Sequence, residues 1–401
     1  MPGTAFGRVW HQAARFNFVA DPLERAQQIF AGFEAELQEE LPPDADLFDA
    51  HTHLGTDIDG MVGSYEELEA TLDRFAFSRC NVFCLDEPDR HPGFRAGNDR
   101  TLAFAERSGG RLIPFVRLDL TEAPIAEAER CLDRGARGIK LHPRAQRFLL
   151  DDERLAPIFA LAAERGVPIL IHGGRGLPPI ADSLLRLAEA YPEAQLIIAH
   201  AGIADLAGLA SHFAGKPGVF FDTSVWSAID LLSFFRLVPP EQILYASDYP
   251  YGRQPGSLLL TLRSARAAGL SEQQLQEILA GNANRIADGG RPLRPSQPQG
   301  AEILEQPLAL ARIHQYLSMA MPLIYLRQQD SFGALGLALN ACHEPNGHVE
   351  ELDQIQGILL AARELWRILP EAEDDDSAAV VARTTARLIH LADIVAVTTG
   401  A

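Results

Sequence analysis

The chain has 401 residues, 47% of them hydrophobic and 22% charged, and 35 Lys and Arg against 54 Asp and Glu give a formal net charge of −19. That balance fits a globular protein too long for one small domain, and its sign excludes generic binding to nucleic acid through phosphates. The four cysteines, Cys80, Cys84, Cys131 and Cys342, form no Cys-x-x-Cys pair, which argues against a disulfide framework or a cysteine zinc site and for reduced thiols in a cytoplasm.

Met1 to Phe18 lacks the apolar core of a secretory signal, and no apolar stretch is long enough to span a bilayer. Residues 1–45 read as an N-terminal helical arm. Asp21-Pro22 starts a helix whose Leu23, Phe30, Phe33 and Leu37 recur at helical spacing, and Pro42-Pro43 ends it.

From Asp46 short apolar runs alternate with amphipathic stretches. The runs are 47–54, 81–86, 112–118, 138–142, 168–172, 196–200, 219–222 and 243–247, and between them helical patterns cover stretches such as 65–77, 125–134, 154–165 and 180–190. Eight strand–helix repeats predict an α/β fold, a (β/α)₈ TIM barrel over residues 46–290, close to the ~250 residues such a barrel takes. The rival, a doubly wound open sheet, usually carries a glycine-rich phosphate turn after its first strand; here that strand ends His51-Thr52-His53-Leu54-Gly55. Residues 291–300, rich in Pro and Gly, read as a linker. Residues 301–401 read as an all-helical extension, with helices over 307–327, 349–369 and 377–397. Pro322 is expected to kink or split the first of these, Gln306 or Ser377 to cap, and the acidic run 371–376 to be a solvated loop. His343, Glu344 and His348 flank Pro345-Asn346-Gly347 and read as a turn.

In such a barrel the active site lies at the C-terminal ends of the strands. The first run ends in His51 and His53, which share a strand face. The fourth carries Lys140 and His142. The fifth ends in His172, the sixth in His200, and the eighth is followed by Asp248. Core histidines arising by chance would scatter along the strands. This many imidazoles and a carboxylate, buried without a metal, would carry a heavy desolvation cost. Three or more histidines with an aspartate suit zinc or another borderline divalent ion, which lowers the pKa of a bound water to ~7 and polarises a carbonyl. Arg117, Arg144, Arg175, Trp226 and Tyr249 lie at strand ends or in the loops beyond them. Arginines pair bidentately with carboxylates, so they hint at a carboxylate-bearing substrate. Glu87–Asn98 is a candidate lid. Gly173-Gly174-Arg175-Gly176 suits either an anion or close packing near a metal, and Asp49 is a candidate partner for an imidazole.

Asp49–Gly55, Gly-Ile-Lys-Leu-His-Pro at 138–143, Ile-His-Gly-Gly at 171–174, Ala-His-Ala-Gly at 199–202, Ala-Ser-Asp-Tyr-Pro at 246–250 and Gly-Asn-Ala-Asn-Arg at 281–285 closely resemble the metal-dependent amidohydrolase superfamily. The resemblance covers Asp46 to about Ala287. It is closest to the amidohydrolase-related (amidohydrolase 2) branch, which also holds decarboxylases of aminocarboxymuconate-semialdehyde type. It implies that His51, His53 and His172 bind the metal, that Asp248 is a fourth ligand or the base, and that His200 is the acid/base or polarises the substrate. One Zn2+ is the expectation; a second metal bridged by a carboxylated Lys140 is the alternative to a substrate or ion-pair role for that lysine.

The expected function is a metal-dependent hydrolase that turns an activated water on an amide, ester or lactone of a small substrate. The alternatives are a decarboxylase or hydratase of an unsaturated or aromatic carboxylic acid, a lyase using the same centre, and an inactive barrel with a partner-binding helical tail. The expected setting is cytoplasmic, without nucleic-acid or membrane partners, as a homo-oligomer joined through the C-terminal helices.

Overall fold

The computed structural model describes residues 21–300, 306–326, 328, 331–344, 347–372 and 374–399. The signal-free reading of Met1 to Phe18 and the Pro345-Asn346 part of the expected turn lie outside the described residues. The chain divides into two compact units, Leu41–Glu302 and a second made of Met1–Glu40 with Ile303–Ala401.

In the first unit strands β1 (Phe48–Thr56), β3 (Arg79–Cys84), β4 (Leu112–Arg117), β5 (Gly138–Leu141), β6 (Ile169–Ile171), β7 (Leu196–Ile198), β8 (Val219–Asp222) and β9 (Ile243–Leu244) pair in chain order, all parallel. A short β2 (Val62–Gly63) pairs antiparallel with the end of β1. Parallel neighbours need crossovers, and helices such as Tyr65–Arg74, Pro124–Asp133, Leu155–Arg165 and Ala181–Ala190 supply them. The sheet closes on itself. Ala50 N donates to Tyr245 O at 2.9 Å, Asp248 N to His51 O at 3.0 Å and His53 N to Tyr249 O at 2.7 Å, with a parallel bridge between Thr52 and Tyr249. Closure of eight parallel strands makes this the expected (β/α)₈ barrel, with an extra hairpin.

The strands read as nearly continuous apolar runs because both faces are covered. Phe48, Phe83, Phe115, Leu170, Ile197, Phe220 and Leu244 fill the barrel, and Ala280 and Ala283 join that cluster from below. The Gly281–Arg285 motif falls at the start of the helix Asn282–Ala287, where Asn282 Nδ2 donates to Pro240 O at 2.9 Å and Ile243 O at 3.0 Å. These bonds fix that helix against the strand starts, at the end of the barrel opposite the strand-end histidines.

The second unit holds the helices Pro22–Glu40, Leu308–Tyr325, Ser331–Ala341, Val349–Ile368 and Asp375–Thr398. The N-terminal helix is not a free-standing arm. Ala26, Ile29, Phe30, Phe33 and Leu37 are buried, Arg25 pairs with Glu364 at 2.9 Å, and Arg387 lies over the Phe30 ring at 4.2 Å. Sequence periodicity does not reveal the helix Ser331–Ala341, because Gly333 and Gly336 weaken its intrinsic preference; packing against Leu308–Tyr325 supplies what propensity lacks. Pro322 does not split its helix: it lies in the last turn, and Leu326 N still reaches Pro322 O at 3.0 Å. The last helix is capped by Asp374, whose carboxylate accepts from Ser377 N at 2.7 Å, and not by Ser377. Asp375 and Asp376 therefore sit in the first helical turn, where negative charge suits the dipole. Among the described residues no helix is long and apolar enough to cross a membrane.

Candidate metal centre

His51 and His53 reach the rim from β1, Lys140 from β5, His172 and His200 from just beyond β6 and β7, Asp222 from the last residue of β8, and Asp248 from the turn after β9. His51 Nδ1 lies 2.8 Å from Asp222 Oδ2. The carboxylate accepts, so Nδ1 carries the proton and Nε2 keeps its lone pair. That Nε2 is 3.1 Å from His53 Nε2, 3.4 Å from Asp248 Oδ1 and 3.4 Å from Lys140 Nζ, while His53 Nε2 is 3.3 Å from Asp248 Oδ1. Ligands ~2.0–2.1 Å from a tetrahedral ion stand ~3.3–3.4 Å from one another. The His51, His53 and Asp248 atoms therefore form a triangular face of the size a small divalent ion needs. His51, His200 and Asp248 likewise offer atoms all within 4.8 Å of one another.

The electrostatics agree. Burial pushes the His51 imidazole down to about 3, with Lys140 adding to the effect. Burial also holds His53, His142 and His172 well below the usual histidine range. These rings are neutral, and what neutral imidazole lone pairs bind is a cation. Burial lowers Lys140 to about 7 and raises Asp248. Burial alone would raise Asp222 too, but its contact with the His51 N–H, with His200 and the Ser224 hydroxyl, holds it low. A bound cation would reverse the pressure on Asp248 by favouring its ionised form. The residues present thus fit a divalent metal.

His172 stacks face to face on His142 at 3.9 Å and meets His200 edge-on at 4.6 Å, and among the described residues its buried Nε2 has no hydrogen-bond partner. Gly174 explains how the rings come so close. A Cβ there would lie 2.8 Å from His172 Cε1, 3.0 Å from its Nε2 and 3.1 Å from His200 Cδ2. The glycine-rich stretch therefore serves close packing around the imidazoles. His200 Nδ1 is 2.7 Å from Ser224 O; a carbonyl only accepts, so this ring too is protonated at Nδ1 and keeps its Nε2 lone pair. His142 Nδ1 accepts from Ala145 N at 3.2 Å, bracing the turn after β5.

The other candidates separate. Arg117 is buried, pairs in register with Lys140, donates to Cys84 O at 3.2 Å and lies over Phe94 at 4.6 Å, and among the described residues its Nε has no hydrogen-bond partner. Arg144 is exposed beside Gly176, and Arg175 is exposed and bound to Asp230 at 2.5 Å. Trp226 is half-buried after β8. The Tyr249 hydroxyl is committed to Ser64 O and Glu67 Oε2, both at 3.2 Å. Tyr251 is nearer the centre, its ring edge-on to His53 at 6.1 Å. Asp49 accepts from the main-chain N of His51 at 3.2 Å and of Ser247 at 2.9 Å, so the imidazole's partner is Asp222 instead. Asp222, Ser224 and Tyr251 escape the sequence reading. Asp222 had a visible signal, since it closes an apolar run as the strand-end histidines do.

Fold and centre define a (β/α)₈ barrel with a candidate His/Asp metal site at its upper rim. A family model described as amidohydrolase matches residues 48–286, more than half of the chain, and the protein belongs to that family. No curated protein sequence matches the chain. Similar solved structures include a probable 2-pyrone-4,6-dicarboxylic acid hydrolase from Acinetobacter baumannii, with citric acid bound (14% identity, 61% of this chain and 99% of that one, TM-score 0.46). Others are a 4-oxalomesaconate hydratase from Rhodopseudomonas palustris (18%, 61% and 96%, 0.46) and the apo IDCase of Metarhizium anisopliae (14%, 62% and 98%, 0.47).

Proposed function

We propose that the protein is a metal-dependent hydrolase acting on an amide, ester or lactone of a small carboxylate-bearing substrate. The observation that carries this reading is the triangle of His51 Nε2, His53 Nε2 and Asp248 Oδ1, with sides of 3.1–3.4 Å. His51, His53, His172 and Asp248 would hold the ion, with Zn2+ the best match to three imidazoles and a carboxylate. When bound, such an ion makes water a nucleophile near neutral pH and polarises a carbonyl.

The chain's own groups supply the rest. Asp248 sits against both β1 imidazoles and takes a proton from the attacking water. His200, neutral with a free Nε2 lone pair and within 4.8 Å of that carboxylate, takes this proton on from Asp248 and hands it to the leaving group. In that tautomer it cannot donate to an oxyanion. Lys140, whose Nζ lies 3.4 Å from His51 Nε2, would be the donor, a reading that favours a substrate-facing role over carboxylation. Arg117, paired in register with Lys140, adds positive charge suited to a substrate carboxylate.

The test is purification with elemental analysis, chelation and reconstitution, then assay on lactone, ester and amide panels with product analysis. Hydrolysis lost with the metal and restored by Zn2+ supports the reading. Release of CO₂, or hydration of a double bond, from the metal-loaded protein without a hydrolytic fragment would replace hydrolase by lyase. Protein that takes up no metal would overturn the reading altogether.

A further inference from the structure

We propose that Asp222 is a positioning residue that orients two imidazoles at once, His51 and His200, and thereby sets the affinity of the centre for its metal. The proposal rests on the metal-site reading above. The Asp222 carboxylate is fully buried, and both of its oxygens are used. Oδ2 accepts from His51 Nδ1 at 2.8 Å. Oδ1 accepts from His200 N at 2.8 Å, from Ser224 N at 3.1 Å and from the Ser224 hydroxyl at 2.5 Å.

The first bond fixes the His51 tautomer and aims Nε2 at His53 Nε2 and Asp248 Oδ1. A carboxylate on the far nitrogen of a ligating histidine also makes that histidine more basic. The second set of bonds holds a turn that non-glycine residues seldom adopt, since His200 and Ala201 have φ of 57° and 54°. The same Ser224 that donates to Asp222 offers its carbonyl to His200 Nδ1 at 2.7 Å, with its hydroxyl oxygen 3.0 Å from that nitrogen. Asp222 thus locks His51 as the Nδ1–H tautomer directly and, by holding the His200 main chain and Ser224, sets the Ser224 carbonyl that does the same for His200, with both Nε2 lone pairs left for the centre. The other groups nearby do less: the Ser224 hydroxyl oxygen stands 3.4 Å from His51 Nδ1, and Asp49 accepts from the main-chain N of His51 and Ser247 and not from the ring.

Metal-free wild type, D222N and S224A are titrated with Zn2+ against a chromophoric chelator, and each is loaded with Co2+ for visible absorption. In D222N an amide replaces the carboxylate opposite His51 Nδ1, so the Zn2+ Kd should rise 10–100-fold and the Co2+ bands should move. S224A keeps the Asp222–His51 bond and should keep the wild-type Kd. A folded D222N with wild-type Kd and Co2+ bands overturns the proposal while leaving the metal site standing; so does an S224A variant that loses as much affinity as D222N. Wild-type protein that binds neither ion overturns the metal-site reading and this proposal with it. If D222N does not fold, ¹⁵N-histidine spectra of the wild type decide. Protonation at Nδ1 of both His51 and His200 is expected, and protonation of either ring at Nε2 instead overturns the proposal.

Discussion

Replacing Gly174 by alanine tests whether the crowding of imidazoles at the rim is functional. The added Cβ would stand 2.8 Å from His172 Cε1, 3.0 Å from His172 Nε2 and 3.1 Å from His200 Cδ2. Neither ring can simply step back. His172 is backed by His142 at 3.9 Å, and His200 is tied to Ser224 O at 2.7 Å. Gly174 is not in the left-handed region, so the substitution perturbs through contact and not through backbone strain. Overpacking of this kind costs ~1–3 kcal/mol, which for a unit of this size lowers Tm by roughly 2–10 °C. If His172 is a ligand, the ring that yields also weakens the ion. A tenfold rise in Kd removes ~1.4 kcal/mol from the stabilisation that saturating metal gives. The assay is thermal unfolding of wild type and variant, each with and without excess Zn2+. The expected result is a lower metal-free Tm together with a smaller rise on adding Zn2+. A variant with the wild-type Tm and the wild-type metal response would refute the reasoning, because the Cβ would then have been accommodated without moving either ring.

Tyr249→Phe removes a hydroxyl whose single proton is shared between Ser64 O and Glu67, so it should cost ~1 kcal/mol of stability while leaving turnover near wild type; a tenfold fall in kcat would put that hydroxyl in the chemistry. Burial raises Asp49 to about 7 from 3.8, so its stabilising contribution is complete below pH ~4 and is lost as pH rises toward 7. Denaturant unfolding of Asp49→Asn across that range should therefore show wild type losing ground to the variant as pH rises, and a constant gap would contradict the shift. Deleting residues 303–401 strips the partners from Ile29, Phe30, Phe33 and Leu37, so that protein should bind a hydrophobic dye and aggregate, whereas deleting residues 1–40 as well should cure it. Equal solubility of the two truncations would show that the N-terminal helix does not depend on the C-terminal helices.

Residue order alone determined the barrel, the strand-end positions of His51, His53, Lys140, His172, His200 and Asp248, and the amidohydrolase motifs. Each of these is a local pattern: an apolar run of strand length, a helical period, and a polar residue where the run stops. The same local view found the helix Pro22–Glu40 from its period and missed Ser331–Ala341, where glycines hide a helix that packing sustains. Only the tertiary structure decided what depends on residues far apart in sequence. It brought Asp222 of β8 to His51 of β1, turned Asp49 to main-chain N–H groups, spent the Tyr249 hydroxyl on Ser64 and Glu67, and placed Tyr251 by His53. It also joined the N-terminal helix to the C-terminal ones across the whole barrel sequence. The physical reason is the same throughout. Which residue type ends a strand is written in the chain, but the partner of a buried proton or an apolar stripe is fixed only when the sheet closes and the helices pack.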